Sequence, residues 1–457
     1  MHNPTVKLWT RHLQYVPLVG IAVLLVSTFR LYESAYFWLD DLTSLFWVQQ
    51  TSVIDMLTAL VNPATHYFRP AGMLFYWIGL RLFGTNALPY HVLAWLIHTV
   101  NTALVYLVVM RITRSRSGAA VGAMLFASQA VFSHIYWNFG TIFELVGGSL
   151  FFLGILLWSS EQRSWAKVVL LSWVFILAVK GKEMAISLPA IWLVYDLAVR
   201  TNLKWRHAVQ VVLPGSVAAL LMLKALAEGR STAADAPYYM DITGLTLGRG
   251  FGTYLNMLFS AGIRWQVWSV GFVALLILMA LLKMRRAIFF HLWVFTTFLP
   301  VVFLTNHRYT FYWYIPFLGV CGLTALLVRE IIRRLQPLMP FPIGEIAASL
   351  CFLLLCQITF TVQESQTAKL RIQQHEINGE FRGLIQALQE LPPLPSNEIL
   401  FIASAPSYFD EEHLTSAAQM LLKRTDITAR MVEQFPVEAR YRLRFENSRL
   451  YRITDSK

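Results

Sequence analysis

Residues 70–83 read PAGMLFYWIGLRLF, an apolar stretch whose reading decides on which side of a membrane every later loop falls. A spanning helix needs about 20 apolar residues, and runs of about 10–14 are more often interfacial or re-entrant. Around this stretch, apolar runs that cross or nearly cross lie at 12–31, 88–110, 118–137, 141–158, 166–180, 184–199, 207–227, 266–283, 287–305, 309–328 and 343–362. With the N-terminus cytoplasmic and 70–83 left out of the count, the inside loops hold Arg111, Arg114 and Arg116; Arg163 and Lys167; Arg200, Lys204 and Arg206; Lys283, Arg285 and Arg286; and Arg329, Arg333 and Arg334. Every short inside loop is then basic, as a cytoplasmic loop should be. Counting 70–83 as a crossing puts all the later ones on the wrong side. The sequence thus predicts an α-helical polytopic membrane protein with about 11 transmembrane helices. Residues 32–87 become one long outer segment with juxtamembrane helices near 42–60 and 71–83, and a further interfacial helix is expected near 245–262.

Composition agrees. Of 457 residues, 56% are hydrophobic and 14% charged, with mean hydropathy +0.52. Soluble domains carry about 25% charged residues, so a soluble globule is excluded. The 38 Lys and Arg against 26 Asp and Glu cluster between apolar runs. That excess is explained by topology, and no nucleic-acid partner is expected. Cys321, Cys351 and Cys356 all fall in apolar segments and offer neither a disulfide framework nor metal-ligand spacing. Lys7 and Arg11 precede the first apolar run without a small-residue cleavage site before Arg30, the pattern of a signal anchor.

An odd number of crossings places the C-terminus outside. Leu370, Ile377, Phe381, Leu384, Leu388 and Leu391 form one stripe of an amphipathic helix over 363–391, which Pro392, Pro393 and Pro395 end. Alternation in EILFIAS (398–404) and YRLRF (441–445), with a polar helix near 411–423, predicts a small extracytoplasmic α/β domain. The expected division is a transmembrane catalytic domain over 1–362 and this domain over 363–457.

The outer ends of the spans gather Asp40, Asp41, His66, Arg69, His134, Glu144, Lys180, Lys182, Glu183, His307 and Arg308. A shared outward-facing cavity accounts for them. Carboxylates there can activate a hydroxyl or hold a divalent cation, and arginines can clamp a phosphate. Plainer readings stand beside these. Asp40 and Asp41, in WLDDLTSLFW (38–47), suit the N-terminus of the next helix. Arg69 before Pro70 can snorkel, His91 and His134 can be structural, and Lys180, Lys182 and Glu183 can pair in a tight hairpin. Glu144, inside GTIFELVGGSLFF (140–152), is the acid whose position costs most without a function.

At this point the chain resembles a family. WLDDLTSLFW looks like the acidic motif in the first outer loop of the GT-C superfamily, polytopic glycosyltransferases that use polyprenyl- or dolichyl-phosphate sugars. HYFRPAGMLFYWIGLRLFG (66–84) with NALPYHVLAWLIHTVNTALVYLVV (86–109) is similar to a block of the TPR-bearing O-mannosyltransferases and their bacterial relatives. SHIYWNFGTIFELVGGSLFFLGILLW (133–158), KGKEMAISLPAIWLVYDL (180–197) and NHRYTFYWYIPFLG (306–319) resemble later blocks in the same order. No TPR array follows the last span.

The resemblance implies an integral-membrane glycosyltransferase that moves a sugar from a polyprenyl-phosphate donor to an acceptor protein, glycan or lipid. Transfer would occur on the outer face, by inverting displacement. It makes Asp40 the base that takes the acceptor's proton. Asp41 and Glu144 orient the acceptor or bind a divalent metal (Mg or Mn), the one cofactor suggested, with His134 and His66 as further acceptor or metal residues. Arg69 becomes the donor-phosphate ligand, by analogy with a Lys before Pro in the aminoarabinose transferases, and Arg308 and Lys182 add phosphate contacts. The compact chain suggests a bacterial plasma membrane. Rival readings are a transporter or flippase of a lipid-linked or anionic solute, and a non-catalytic assembly factor. The sequence lacks the paired broken helices and inverted repeats that transporters often carry.

Overall fold

The computed structural model describes residues 36–62, 69–129, 138–160, 164–200, 238–259, 262–335, 379–405, 409–437, 439–446 and 449–453, with a few positions between them. In chain order the helices begin with α1 Leu39–Gln50, α2 Val53–Val61, α3 Pro70–Phe83, α4 Ala87–Thr113 and α5 Arg116–Ser128. They continue as α6 Ile142–Trp158, α7 Trp165–Gly181, α8 Leu188–Ala198, α9 Gly244–Phe259, α10 Trp265–Leu281, α11 Arg285–Val302 and α12 Phe317–Leu335. A helix over 379–389 (α13) and α14 Glu411–Leu422 complete the series. The strands are β1 Ile399–Ala403, β2 Thr428–Val432, β3 Tyr441–Glu446 and β4 Arg449–Ile453.

Among the described residues, three helical stretches are long and apolar enough to cross a membrane: Ala87–Thr113, Phe139–Trp158 and Arg285–Val302. Trp265–Leu281 is a shorter apolar helix. The runs expected at 166–180, 184–199 and 309–328 are helical as α7, α8 and α12, the last two each entered through a 3-10 turn, Glu183–Ser187 and Thr310–Trp313. The expected spans at 207–227 and 343–362, and most of 12–31, lie outside the described residues.

The chain forms two compact units. One comprises residues 1–30, 95–134 and 143–363; the other comprises 31–94, 135–142 and 364–457. Residues 31–94 cluster with the tail rather than with the rest of the helical region.

In the first unit, α5 and α12 pack closely because α5 carries a Gly118-xxx-Gly122 stripe. A Cβ on Gly118 would stand 2.5 Å from the Ala325 carbonyl oxygen, and one on Gly122 would stand 2.8 Å from that of Cys321. Arg329 on α12 donates to the Thr113 carbonyl at 2.6 Å and so satisfies the end of α4. Deeper in the bundle, Asn101 donates to the Leu145 carbonyl and to the Tyr314 hydroxyl, each at 2.9 Å. His98 Nδ1 also lies 2.9 Å from that hydroxyl. Buried polar groups in an apolar bundle are held by such mutual bonding.

In the second unit, α1 starts with two acids in its first turn, where carboxylates suit the helix dipole. Thr51 and Ser52 divide it from α2, and the Ser52 hydroxyl caps α2 by accepting from the Asp55 amide at 3.1 Å. The expected helix near 42–60 is therefore two helices, with the break set by this cap. α3 begins at Pro70, whose missing N–H costs nothing at a helix start. Arg81 and Trp77, stacked on one another along α3, donate to the Thr51 carbonyl at 3.2 and 3.1 Å, which ties α3 to the end of α1. A cluster of Phe37, Phe75, Tyr90 and Phe139 fills the space behind, with centroids 5.2–6.0 Å apart.

The tail of the second unit is a four-stranded sheet in the order β2-β1-β3-β4. β1 runs parallel to β2 and β3, and β4 is antiparallel to β3. A parallel β1–β2 pair needs a crossover, and α14 supplies it. α14 buries Leu414, Ala417, Ala418 and Met420 and packs on both β2 and α1. Gln49 on α1 donates to the Met420 carbonyl at 3.0 Å across that contact.

Candidate active site

The acidic pair on α1 splits into two unlike carboxyls. Asp41 is at 0% exposure. It accepts from the Trp38 amide at 2.5 Å and from the Tyr76 hydroxyl at 2.6 Å. The plain helix-start reading thus describes Asp41, whose bond to Trp38 N–H is half of a capping box. Burial pushes its carboxyl up to about 7; the Tyr76 and Trp38 bonds pull downward and the charge of Asp40 adds to the rise. One residue earlier, Asp40 is 79% exposed. A carboxylate that must meet an incoming hydroxyl needs that access.

Asp40 has a partner from far along the chain. His413, on the first turn of α14, places Nε2 3.3 Å from Asp40 Oδ1 and Nδ1 2.7 Å from Asp410 Oδ1. Asp410 caps α14 by accepting from the His413 amide at 2.8 Å. Burial lowers the affinity of His413 for a proton, but the two carboxylates outweigh it and raise its pKa above the ordinary histidine value. Sequence reasoning missed His413, Asp410 and Tyr76.

Arg69, in the same unit, is half-buried at the N-cap of α3. Its φ of 39° is left-handed, an arrangement the following proline already disfavours. Non-glycine residues held there cost on the order of 1–3 kcal/mol and concentrate at functional sites. His66 and His134 lie outside the described residues.

The remaining candidates belong to the first unit. Lys182 is 2% exposed and its Nζ lies 2.5 Å from Oε1 of the equally buried Glu144. The more exposed Glu183 is 3.3 Å away, and the ammonium faces the Tyr312 ring at 5.0 Å. The pairing of Lys182 with Glu183 was legible from their adjacency; the closer partner, on α6, was not. Two glycines permit it. A Cβ on Gly147 of α6 would stand 2.6 Å from Lys182 Cβ, and one on Gly181 3.0 Å from the Gly147 backbone. Arg308 is half-buried and donates from Nε to the Leu304 carbonyl at 2.9 Å. Neighbouring His307 rests on the Tyr238 and Tyr309 rings. Among the described residues, no group of three or more His, Cys, Asp or Glu side chains could hold a metal ion.

No protein-family model matches the chain, and no curated protein matches it in sequence. Its fold is similar to that of ArnT from Cupriavidus metallidurans bound to undecaprenyl phosphate, with a TM-score of 0.53 and 14% identity over 91% of this chain and 86% of that one. The apo state of the same protein gives a TM-score of 0.52 at 13% identity, over 91% and 85%. The chain therefore shares the fold of this protein over most of its length.

Proposed function

We propose that this chain is an integral-membrane glycosyltransferase, moving a sugar from a polyprenyl-phosphate donor to an acceptor on the outer face of the membrane. The observation that carries the reading is the split of the acidic pair: Asp40 open to an incoming hydroxyl, Asp41 buried directly behind it. A fold shared with a protein seen with undecaprenyl phosphate supports the donor class.

In this mechanism the acceptor oxygen attacks the anomeric carbon while its proton passes to Asp40. The bond from that carbon to the phosphate oxygen breaks, and the polyprenyl phosphate leaves with the electron pair. Attack opposite the leaving group inverts the configuration. Asp41 orients the start of α1; both its oxygens already accept hydrogen bonds, which favours this role over metal binding. Arg69 holds the leaving phosphate through its guanidinium fork. Arg308 is the next phosphate ligand. Lys182 ranks after it, because a cation 2.5 Å from a carboxylate has less to offer an anion. Glu144 acts by holding Lys182 in place.

Single-cysteine labelling tests the orientation. With the N-terminus cytoplasmic, an impermeant reagent reaches Asp235→Cys and Glu412→Cys from outside but not Ser115→Cys or Asn202→Cys. Labelling of Ser115→Cys from outside would place Asp40 in the cytoplasm and end the proposal. Activity is tested by release of polyprenyl phosphate in membranes that contain the native acceptor.

A further inference from the structure

We infer that His413 is a positioning residue for the transfer: the tail's sheet module uses it to hold one carboxylate oxygen of Asp40, leaving the other to meet the acceptor. The inference rests on the proposed role of Asp40 as base.

The geometry is directional. Asp40 is 79% exposed, and an exposed aspartate on a helix turn samples several rotamers. The imidazole is only 17% exposed, and its far nitrogen sits 2.7 Å from Asp410. Its backbone is fixed as well. Asp410 caps the helix, Leu414 is fully buried one residue on, and Gln49 bonds Met420 near the other end of α14. Before α14, Phe409 is 3% exposed and lies between Phe381 and Phe445, with centroids at 4.8 and 5.5 Å. A rigid element thus presents one donor to the flexible base. A carboxylate at one ring nitrogen fixes the orientation in which an imidazole presents the other.

The charges around the ring set its protonation. Asp40 approaches from α1 and Asp410 from the ring's own cap. Asp41, beside Asp40, is turned toward Trp38 and Tyr76. Glu411 accepts from the Met431 amide, while Glu412 and, on β2, Arg430 are exposed. The start of α14 itself disfavours a cation. The two flanking carboxylates prevail and favour the charged form, in which Nε2 faces Asp40 as a donor. The grip on Asp40 weakens as pH rises through the raised pKa of His413.

The test is the pH dependence of kcat and KM for the parent, His413→Ala, His413→Gln and Asp410→Asn, in membranes containing the native acceptor. Asparagine at 410 keeps a capping side chain but removes its charge. His413→Ala should lower kcat by up to about 100-fold, the loss a misplacement on the order of 1 Å can produce, with KM nearly unchanged. Gln, which retains a donor, should recover part of the rate while abolishing the alkaline limb of the profile. Asp410→Asn should move that limb to lower pH. In an Asp40→Asn background, His413→Gln should change the residual rate no further. A module that merely glues α14 to α1 would give variants with lowered melting temperatures and a parental pH profile, and that outcome overturns the inference. If Asp40→Asn is inactive while both His413 variants match the parent, the inference fails and the base assignment stands. If Asp40→Asn is itself fully active, the base assignment fails first.

Discussion

The two units treat their acids in opposite ways. In the first, Glu144 is buried against Lys182 at 2.5 Å, and a glycine on each of two helix segments lets the backbones close around the pair. In the second, Asp41 is buried but Asp40, its immediate neighbour, is left open and touched by one imidazole. A buried ion pair is costly to desolvate and costlier still to break. It holds structure and has little freedom to accept a proton. An exposed carboxylate backed by a buried one has the reverse properties. On the proposed reading, the contrast suits Glu144 and Lys182 to scaffold work before any phosphate contact, and Asp40 to proton transfer.

Breaking the buried pair should have the largest effect on stability. Lys182→Met leaves Glu144 with an uncompensated charge and should cost about 3–5 kcal/mol, read as a fall in the melting temperature of the purified protein in detergent. The double variant Lys182→Met/Glu144→Gln should recover most of the loss. A single variant that melts like the parent removes the scaffold half of the comparison.

Asp41 should give the next effect, and its sign is fixed. Its carboxyl titrates near the ordinary 3.8 when unfolded and at about 7 when folded. The folded state thus holds the proton more tightly, and stability is fullest below pH 3.8 and falls until the pH passes about 7. A shift of roughly 3 units corresponds to about 4 kcal/mol. Melting from pH 4.5 to 8 should show this slope in the parent, and Asp41→Asn should flatten it. An unchanged slope in the variant would assign the titration to another group.

Arg69→Ala should weaken binding of a polyprenyl-phosphate sugar about 30-fold, the lower end for truncating one side of a charged hydrogen bond, because Arg69 is only half-buried. Arg69→Lys should restore part of this, keeping the charge without the bidentate fork. Parental affinity in Arg69→Ala would move the phosphate to Arg308. Smallest should be Tyr76→Phe. It removes one donor from Asp41 and should cost about 1 kcal/mol, while moving the pH slope just described to higher pH.

What was legible in the sequence followed from local rules. The short apolar run at 70–83 forms a 14-residue helix starting at its proline, and the alternation in EILFIAS coincides with β1. Asp40 and Asp41 stood out because two acids beside a long apolar run are expensive. Their division into one open and one closed carboxyl depends on Tyr76, 35 residues away, and no local pattern encodes that. His413 is 373 residues from Asp40. In sequence it is an ordinary polar position in a polar helix, and only the packing of α14 on α1 gives it meaning. Lys182 was likewise read with its neighbour Glu183, because adjacency is visible in a sequence and the approach of α6, allowed by Gly147, is not.

The most direct test of the account is turnover of a polyprenyl-phosphate sugar by Asp40→Asn beside Asp41→Asn, in membranes that contain the native acceptor. Both variants should insert and melt cooperatively. Asp40→Asn should lose transfer by about 100- to 10,000-fold, the range for removing a general base, and Asp41→Asn should lose far less. Near-parental release of polyprenyl phosphate by Asp40→Asn, or a deeper loss in Asp41→Asn, would contradict the assignment of the open carboxylate as the base.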